Sequence, residues 1–266
     1  MPPLPDLATK SALVVAHPGH ELRLHGWLER ARPAVFVLTD GSGHGRGSRL
    51  ASTARLLAAA GATAGTIFGR FTDREIYRLL LDGETGGVLD LARELADALV
   101  AMEAEVVAAD ALEGYNPGHD LCRVLTDAAV TLATRQGGRP IASYEFPLSG
   151  PSGNGAPDPG ALGLILDDSA LARKLAAAEA YPEMAEEVAR ALAGHGAEGF
   201  RGEHLRPTDP AATLAVLEMR AGSPPFYETY GERQVAAGHY TRVLRLAEHF
   251  LPAARALAEL ASLVQC

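Results

Sequence analysis

Short apolar runs alternate with helical patterns along the first 146 residues, and this alternation limits the possible folds more than any other feature. The first two runs, residues 11–16 and 34–39, flank a helical stretch over 20–31. A strand, a helix and a second strand in this order form the unit from which parallel sheets are built. Further strands are predicted at 66–68, 105–108 and 141–146, and further helices at 49–60, 73–81, 89–102 and 119–135. The sequence therefore predicts an α/β fold with a Rossmann-like, doubly wound, mainly parallel sheet.

The sequence changes character after residue 146. Residues 147–160 are rich in Gly, Pro, Ser and Asn, which predicts a long loop that either covers a pocket or only connects elements. A strand over 162–166 and helices over 168–193 are predicted to follow. The chain is thus expected to form one α/β domain over 1–223.

The last part of the chain, residues 224–266, is predicted to be a helical C-terminal extension packed on that domain. Its helical pattern covers 234–263, and Pro252 is expected to begin a second helix because proline disrupts a helix interior. Residues 224–232 combine aromatic and acidic side chains in a chain with only 6% aromatic residues. That segment either holds a sugar-like ligand or packs irregularly across the domain surface.

The charge balance and hydropathy exclude several classes of partner. The net charge is −9, from 33 acidic and 24 basic residues, which argues against binding to nucleic-acid phosphates. No apolar run reaches the 18 residues of a membrane span, and the amino terminus lacks the pattern of a signal peptide. We therefore expect a cytoplasmic protein that binds a small molecule and neither membranes nor nucleic acid; the oligomeric state is left open.

Cysteines do not organise this fold. Only Cys122 and Cys266 are present, so a disulfide framework is excluded. Cys122 lies one helical turn beyond His119 and either reaches a metal placed there or is a small buried residue of the helix.

Three histidines are predicted to converge on one site. His17 ends the first strand, His20 follows it after Pro and Gly, and His119 lies in a second loop, just before a long helix. The carboxyl ends of parallel strands are where α/β proteins place their ligands. Imidazoles from two loops at such an edge suggest a metal site, although a histidine after a strand is often only a hydrogen-bonded turn residue.

Three sequence blocks carry a family pattern: Ala-His-Pro-x-x-Glu at 16–21, Leu-Thr-Asp-Gly at 38–41 and x-Pro-x-His at 116–119. In order and spacing they resemble the PIG-L/LmbE-like family of zinc-dependent N-acetylglucosaminyl deacetylases. The resemblance covers roughly residues 11–135. It implies the α/β fold, a bound Zn²⁺ or another divalent transition metal, and an N-acylated amino sugar or related amide as substrate.

The resemblance also assigns roles to single residues. It implies that His17, His20 and His119 bind the metal, with His20 standing where the family has an aspartate. The family's general base, also an aspartate, is replaced by Gly19. The family's oxyanion-stabilising histidine is replaced by Asn116, which can still donate a hydrogen bond.

Other residues of these blocks are candidates for supporting roles. Glu113 lies in the loop before His119 and is the best-placed carboxylate to replace the missing base, with Glu21 a weaker choice. In the Gly-rich segment 39–49, the resemblance places Arg49 at the edge of the active site. Asp40 is then expected to bind substrate or to orient a metal-bound imidazole. The segment matches neither the dinucleotide-binding nor the P-loop fingerprint.

We therefore expect a metal-dependent hydrolase of an N-acyl bond with an altered active site. Three alternatives stay open: a non-catalytic metal-containing binding protein of the same fold, a different metal-dependent reaction at a three-histidine site, and a nucleotide-sugar transferase that uses the Gly-rich segment.

Overall fold

The computed structural model describes residues 2–43, 47–149 and 159–263, and these form a seven-stranded sheet with helices on both faces. The strands are β1 (Ser11–Val15), β2 (Ala34–Thr39), β3 (Thr63–Phe71), β4 (Val106–Asp110), β5 (Ala142–Phe146), β6 (Leu162–Ile165) and β7 (Gly202–Pro207). Their order is β3-β2-β1-β4-β5-β7-β6. The first five are parallel, and β7 and β6 add an antiparallel edge. The predicted doubly wound, mainly parallel sheet is confirmed.

The helices cover the sheet and its carboxyl edge. They are α1 (His25–Ala31), α2 (Leu50–Ala60), α3 (Asp73–Asp82), α4 (Gly86–Ala101), α5 (Pro117–Gly137), α6 (Asp168–Glu179), α7 (Ala185–His195), α8 (Thr213–Arg220), α9 (Phe226–Ala236) and α10 (Leu251–Leu263). Short 3-10 turns cover His20–Leu24, Pro182–Met184 and Ala197–Phe200, and a π-helical turn covers Leu246–Phe250.

The central strand β1 is buried on both faces because helices pack against each. Ala12 and Val14 point into a core shared with α4, α5 and α10. Leu13 and Val15 point into a second core, shared with α1 and α2. This two-sided burial explains why the strand is an almost continuous apolar run.

The C-terminal extension shares the first of these cores. Tyr227 of α9 and Leu257 of α10 are buried in the same cluster as the side chains of α4 and α5. Pro252 is the second residue of α10, as predicted. The helical pattern predicted over 234–263 is wrong in part, because α9 begins at Phe226 and ends at Ala236, and Gly238 turns the chain with a φ of 76°.

Other boundaries also differ from the prediction. The stretch 20–31 is a 3-10 turn followed by α1. Strand β3 is longer than the predicted 66–68, because Gly65 and Gly69 interrupt the apolar alternation from which a strand is predicted. Strand β7 and helix α8 were not predicted. Among the described residues, none of the helices has both the length and the apolar character needed to span a membrane.

Candidate functional site

The candidate site lies at the carboxyl edge of the sheet, between β1 and β4. These two strands are neighbours, and the strand order runs outward from them in opposite directions. Such a reversal opens a crevice outside the strand ends, where α/β proteins bind ligands. His17 follows β1, Thr39 ends β2 and Asp110 ends β4. His119 belongs to the first turn of α5, which follows β4.

The three predicted imidazoles come together in this crevice. The ring centroids of His17 and His20 are 5.3 Å apart, those of His17 and His119 are 5.1 Å apart, and those of His20 and His119 are 4.6 Å apart. Only 13% and 14% of the His17 and His20 side chains are exposed, and His119 is buried. Residues from two distant loops thus form one cluster.

The loop that carries two of these histidines is held by a buried glutamate. Glu21 accepts the Gly19 amide through Oε2 at 2.7 Å and the Thr53 hydroxyl through Oε1 at 2.7 Å. Burial raises the pKa of Glu21 to about 7. Gly19 has a φ of 106°, a region that only glycine adopts easily. Glu21 therefore holds the loop in place by hydrogen bonds to Gly19 and to Thr53 of α2.

Carboxylates contact the outer nitrogen of two imidazoles. His17 Nδ1 lies 2.9 Å from Asp73 Oδ1 and 2.8 Å from Thr39 Oγ1. His20 Nδ1 lies 2.8 Å from Asp110 Oδ2, which also accepts the Ala16 amide. A carboxylate on the outer nitrogen fixes the tautomer and turns the other nitrogen toward the crevice.

Two buried ring nitrogens of the cluster are left without a hydrogen bond. Within the described residues, the buried His17 Nε2 and His119 Nδ1 have no hydrogen-bond partner. Buried ring nitrogens are normally paired, so an unpaired one calls for a ligand or a solvent molecule. Both atoms belong to the imidazole cluster.

The electrostatics of the cluster follow from burial. Burial lowers the pKa of His20 and of His119, and the neighbouring imidazoles act in the same direction. Burial raises the pKa of Asp110. Burial also acts to raise the pKa of Asp73, but the hydrogen bonds from His17 and Thr39 and the charge of His17 outweigh it, and the pKa falls well below its ordinary value.

Ring positions and donor atoms give different answers about a metal. Three imidazoles bound tetrahedrally to one zinc ion, at about 2.0–2.1 Å per nitrogen, would have ring centroids about 5 Å apart, close to the spacing here. Yet in the described part of the chain no group of three or more His, Cys, Asp or Glu side chains could hold a metal ion as it stands. The two findings differ because centroids locate the rings, whereas a formed site also needs converging nitrogens. The residue types and the ring spacing fit zinc, although the ring nitrogens do not converge as a formed site would need.

The two predicted catalytic residues lie on the loop that leads into α5. Asn116 is the N-cap of α5, and its Oδ1 accepts the Gly118 amide at 2.7 Å. Only the amide nitrogen end of that side chain is then left for a ligand. Glu113 lines the cavity described below, where its carboxylate accepts the amides of Leu148 and Ser149 at 3.2–3.3 Å.

The predicted substrate-binding residues are placed differently from each other. Arg49 precedes α2 and has an Nη2 atom 3.9 Å from Glu187 of the cavity wall. The Asp40 carboxylate accepts the Ser42 amide at 2.9 Å. The expectation that it orients an imidazole is corrected, because Asp73 and Asp110 occupy those positions. Residues 44–46 of the Gly-rich segment lie outside the described residues.

A cavity of about 440 Å³ opens directly above His20 and His119. Its roof comes from α6, α7 and the turn of residues 182–184, and Tyr115 lies at its rim with 54% of its surface exposed. Met184 projects over Gly19, and its sulfur fills the space that a Cβ atom there would need. The position that carries the family's base is thus covered by a thioether.

Cys122 is fully buried in the core with its Sγ 3.7 Å from the Val14 carbonyl, which confirms the interpretation as a buried helix residue. In the aromatic segment, Tyr227 is buried, whereas Phe226 stacks on Tyr115 with centroids 4.9 Å apart. The predicted loop over 147–160 lies for the most part, at 150–158, outside the described residues.

Sequence reasoning missed Asp73, Asp110 and Met184. Asp110 offered a signal, since it is a charged residue that closes an apolar run at the same sheet edge as His17. Asp73 reaches His17 from 56 residues away, and its own neighbourhood shows only a helix start capped by Thr72. No local pattern marks Met184, whose role arises from the packing of the roof.

The fold and this edge define an α/β protein with a histidine cluster at the switch point of a doubly wound sheet. No family model matches the sequence. No curated protein matches it either.

Solved structures do match. The A40926 pseudoaglycone deacetylase Dbv21 is similar with a TM-score of 0.52 and 18% identity, over 75% of this chain and 96% of that one. A deacetylase triple mutant from the teicoplanin biosynthetic pathway matches with a TM-score of 0.52 and 16% identity, over 75% and 97%. The conserved protein TT1542 from Thermus thermophilus matches with a TM-score of 0.53 and 21% identity, over 76% and 96%. The chain has the fold of these three structures.

Proposed function

We propose that this chain is a metal-dependent hydrolase that cleaves the N-acyl bond of an amino sugar or a related small molecule. The observation that carries the proposal is the cluster of His17, His20 and His119, with Asp73 and Asp110 on the outer nitrogens of two of them. Carboxylate–imidazole pairs of this kind are typical of metal sites. Two of the three structural neighbours named above are described as deacetylases.

The residues around the crevice suit this chemistry. A divalent ion such as Zn²⁺, when bound to the three imidazoles, would polarise the amide carbonyl and acidify a water molecule. Asn116 would donate its side-chain N–H to the oxygen of the attacked carbonyl, since its Oδ1 is occupied by the helix cap. Arg49 and Asp40, from the segment that follows β2, would contact polar groups of the substrate.

Proton transfer is the step for which this chain lacks the residue found in the resembling family. Gly19 cannot accept a proton, so we propose that Glu113 does so. Its carboxylate lines the same cavity as His20 and His119, and it is fixed in place by the amides of Leu148 and Ser149. A base held in this way keeps one orientation throughout the reaction.

The test is metal content followed by amine release. Purified protein is expected to retain about one zinc ion per chain and, at full occupancy, to release free amine from N-acylated glucosamines. The His119→Ala protein should lose both, and His239→Ala, which removes an exposed histidine far along the chain, should lose neither. Absence of metal from both the purified and the zinc-reconstituted protein would contradict the proposal.

A second function is favoured by one observation, the apolar cover over the base position. Because the Met184 sulfur occupies the space beside Gly19, the pocket could serve to hold a ligand without hydrolysing it. Zinc bound at full occupancy with no amine release from any N-acyl substrate would support this binding protein over the hydrolase.

A further inference from the structure

The cavity above the imidazoles is far larger than an acetyl group requires. Its volume is about 440 Å³, and a water-sized group takes about 30 Å³, so the space corresponds to more than ten such groups. It also lies within the range of about 300–1,000 Å³ that is typical of small-molecule pockets. His20 and His119 belong to its wall, so whatever fills it adjoins the proposed reacting bond.

Much of the cavity wall is apolar. Its larger apolar side chains are Leu22, Leu148, Leu175, Val188, Leu192 and Phe200. They come from the 3-10 turn after β1, the segment after β5, and the roof of α6 and α7. An apolar ligand group bound against this surface is stabilised in proportion to the apolar area that it removes from water.

The charged groups that line the cavity are engaged with the protein itself. Glu113 accepts the amides of Leu148 and Ser149, and Lys174 Nζ lies 2.9 Å from Glu203 Oε1. Arg23 Nε donates to the Pro147 carbonyl at 3.2 Å, and Glu187 faces Arg49. A charged or heavily hydroxylated ligand inside the cavity would lose water without gaining comparable partners.

The polar end of a ligand has a better place at the rim. Tyr115 is exposed there, and its ring stacks on Phe226 with an interplanar angle of 3°. The flat face of such a pair suits a sugar ring, while its hydroxyls remain in water. Tyr115 directly precedes Asn116, the N-cap of the helix that carries His119, so the bond between a sugar at this rim and an apolar group inside the cavity would lie near His119.

We propose that this cavity receives an uncharged acyl chain of about six to ten carbons, which makes medium-chain N-acyl amino sugars the substrates. This inference rests on the proposed amide hydrolysis and assigns the acyl side of the bond to the cavity. In the reaction, water adds its oxygen to the acyl carbon and its protons to the leaving nitrogen and the medium. The products are a medium-chain carboxylate and a free amino sugar.

The test is a series of N-acyl glucosamines with 2, 4, 6, 8 and 10 acyl carbons. Each added methylene should raise kcat/KM about 3- to 4-fold until the cavity is full, the factor expected for burying one CH₂ group. Calorimetry on the same series, with no metal added, should show the same trend in Kd. An equal kcat/KM for the acetyl and octanoyl compounds would overturn the inference while leaving the hydrolase proposal intact.

Chain-length-dependent binding without amine release from any compound would support the cavity assignment and contradict the hydrolase. Alkyl glycosides of N-acetylglucosamine provide the opposite arrangement. If lengthening the glycosidic chain raises kcat/KM and lengthening the acyl chain does not, the cavity holds the other end of the substrate, and the inference is wrong.

A cavity-filling variant tests the location. Ala191 lines the cavity, whereas Ala189, on the same helix, is exposed. Ala191→Phe should lower the ratio of octanoyl to acetyl kcat/KM about tenfold or more, and Ala189→Phe should leave that ratio unchanged. An unchanged ratio in both variants would remove the acyl chain from this cavity. Should Ala191→Phe not fold, the chain-length series on the unmodified protein decides by itself.

Discussion

The sulfur of Met184 lies where a Cβ atom on Gly19 would project, so a side chain at that position would have to displace the end of the methionine side chain. The backbone also disfavours one, because Gly19 has a φ of 106°. The resemblance to the deacetylase family places a general base here. Two independent features, a backbone conformation that favours glycine and the neighbouring thioether of Met184, disfavour a side-chain base at position 19.

We predict that Gly19→Asp does not restore a deacetylase. The substitution should lower the free energy of unfolding by about 1–3 kcal/mol, because a non-glycine residue in this conformation is strained. Urea unfolding and amine release at equal zinc occupancy would measure both effects. Gly86→Asp is the control, since Gly86 begins α4, has open space around it, and an acidic residue is favourable there.

The double variant Gly19→Asp with Asn116→His should lose further stability. Asn116 caps α5, and removing its acceptor should cost about a further 0.5–2 kcal/mol, which Asn116→Asp would avoid. A double variant with near-normal stability and at least hundredfold faster release of N-acetyl amine would mean that the site is a decayed deacetylase, contrary to our interpretation.

A second prediction concerns the carboxylates behind the imidazoles. Asp73→Asn and Asp110→Asn should each lower zinc affinity about 10- to 100-fold, since each removes the charge that orients a ring. Competition with a chelating dye would measure the affinities. Asp40→Asn, whose carboxylate accepts the Ser42 amide, should change zinc affinity little. An equal loss in all three variants would assign the effect to the net charge of the edge.

The histidine cluster could be predicted from the sequence because each loop that carries a histidine is marked by the strand or helix next to it. His17 and His20 follow an apolar strand, and His119 begins a long helix, so the sheet topology alone brings them to one edge. The parallel part of the sheet was predictable for the same reason, since β1 and β2 are apolar runs of β-strand type.

The remainder of the site depends on packing between distant segments. Asp73 reaches His17 only because α3 packs beside the edge. The residue predicted to orient an imidazole, Asp40, follows instead from the loop that matches the family resemblance. The strand β7 escaped prediction because its segment, Gly-Glu-His-Leu-Arg-Pro, carries polar and charged residues where a strand pattern would be apolar. Its Glu203 turns inward to a buried partner, which no local pattern reveals.

A third prediction tests the proposed base. Glu113→Gln should lower kcat for amine release about 10²–10⁴-fold if the carboxylate accepts the proton, and it should flatten the acidic limb of the pH profile. Glutamine keeps an oxygen that can still accept the amides of Leu148 and Ser149, so the loop should stay in place. Unchanged turnover with an unchanged pH profile would exclude Glu113 as the base.

The last prediction concerns a buried ion pair under the cavity, Lys174 with Glu203. Glu203 is fully buried and accepts the amides of Gly26 and Trp27, in the first turn of α1, as well as the Lys174 ammonium. Burial lowers the pKa of Lys174, while the Glu203 charge opposes that shift. Lys174→Met would leave this carboxylate without its counter-charge and should cost about 3–5 kcal/mol of unfolding free energy.

The double variant Lys174→Met with Glu203→Gln removes the uncompensated charge and should recover part of that loss, because glutamine still accepts an amide of α1. Lys10→Met, which breaks an exposed ion pair with Glu103, is the matched control and should leave the urea midpoint nearly unchanged. A double variant no more stable than Lys174→Met alone would mean that Lys174 acts through packing of its methylene chain against the cavity wall, and that the pairing with Glu203 contributes little.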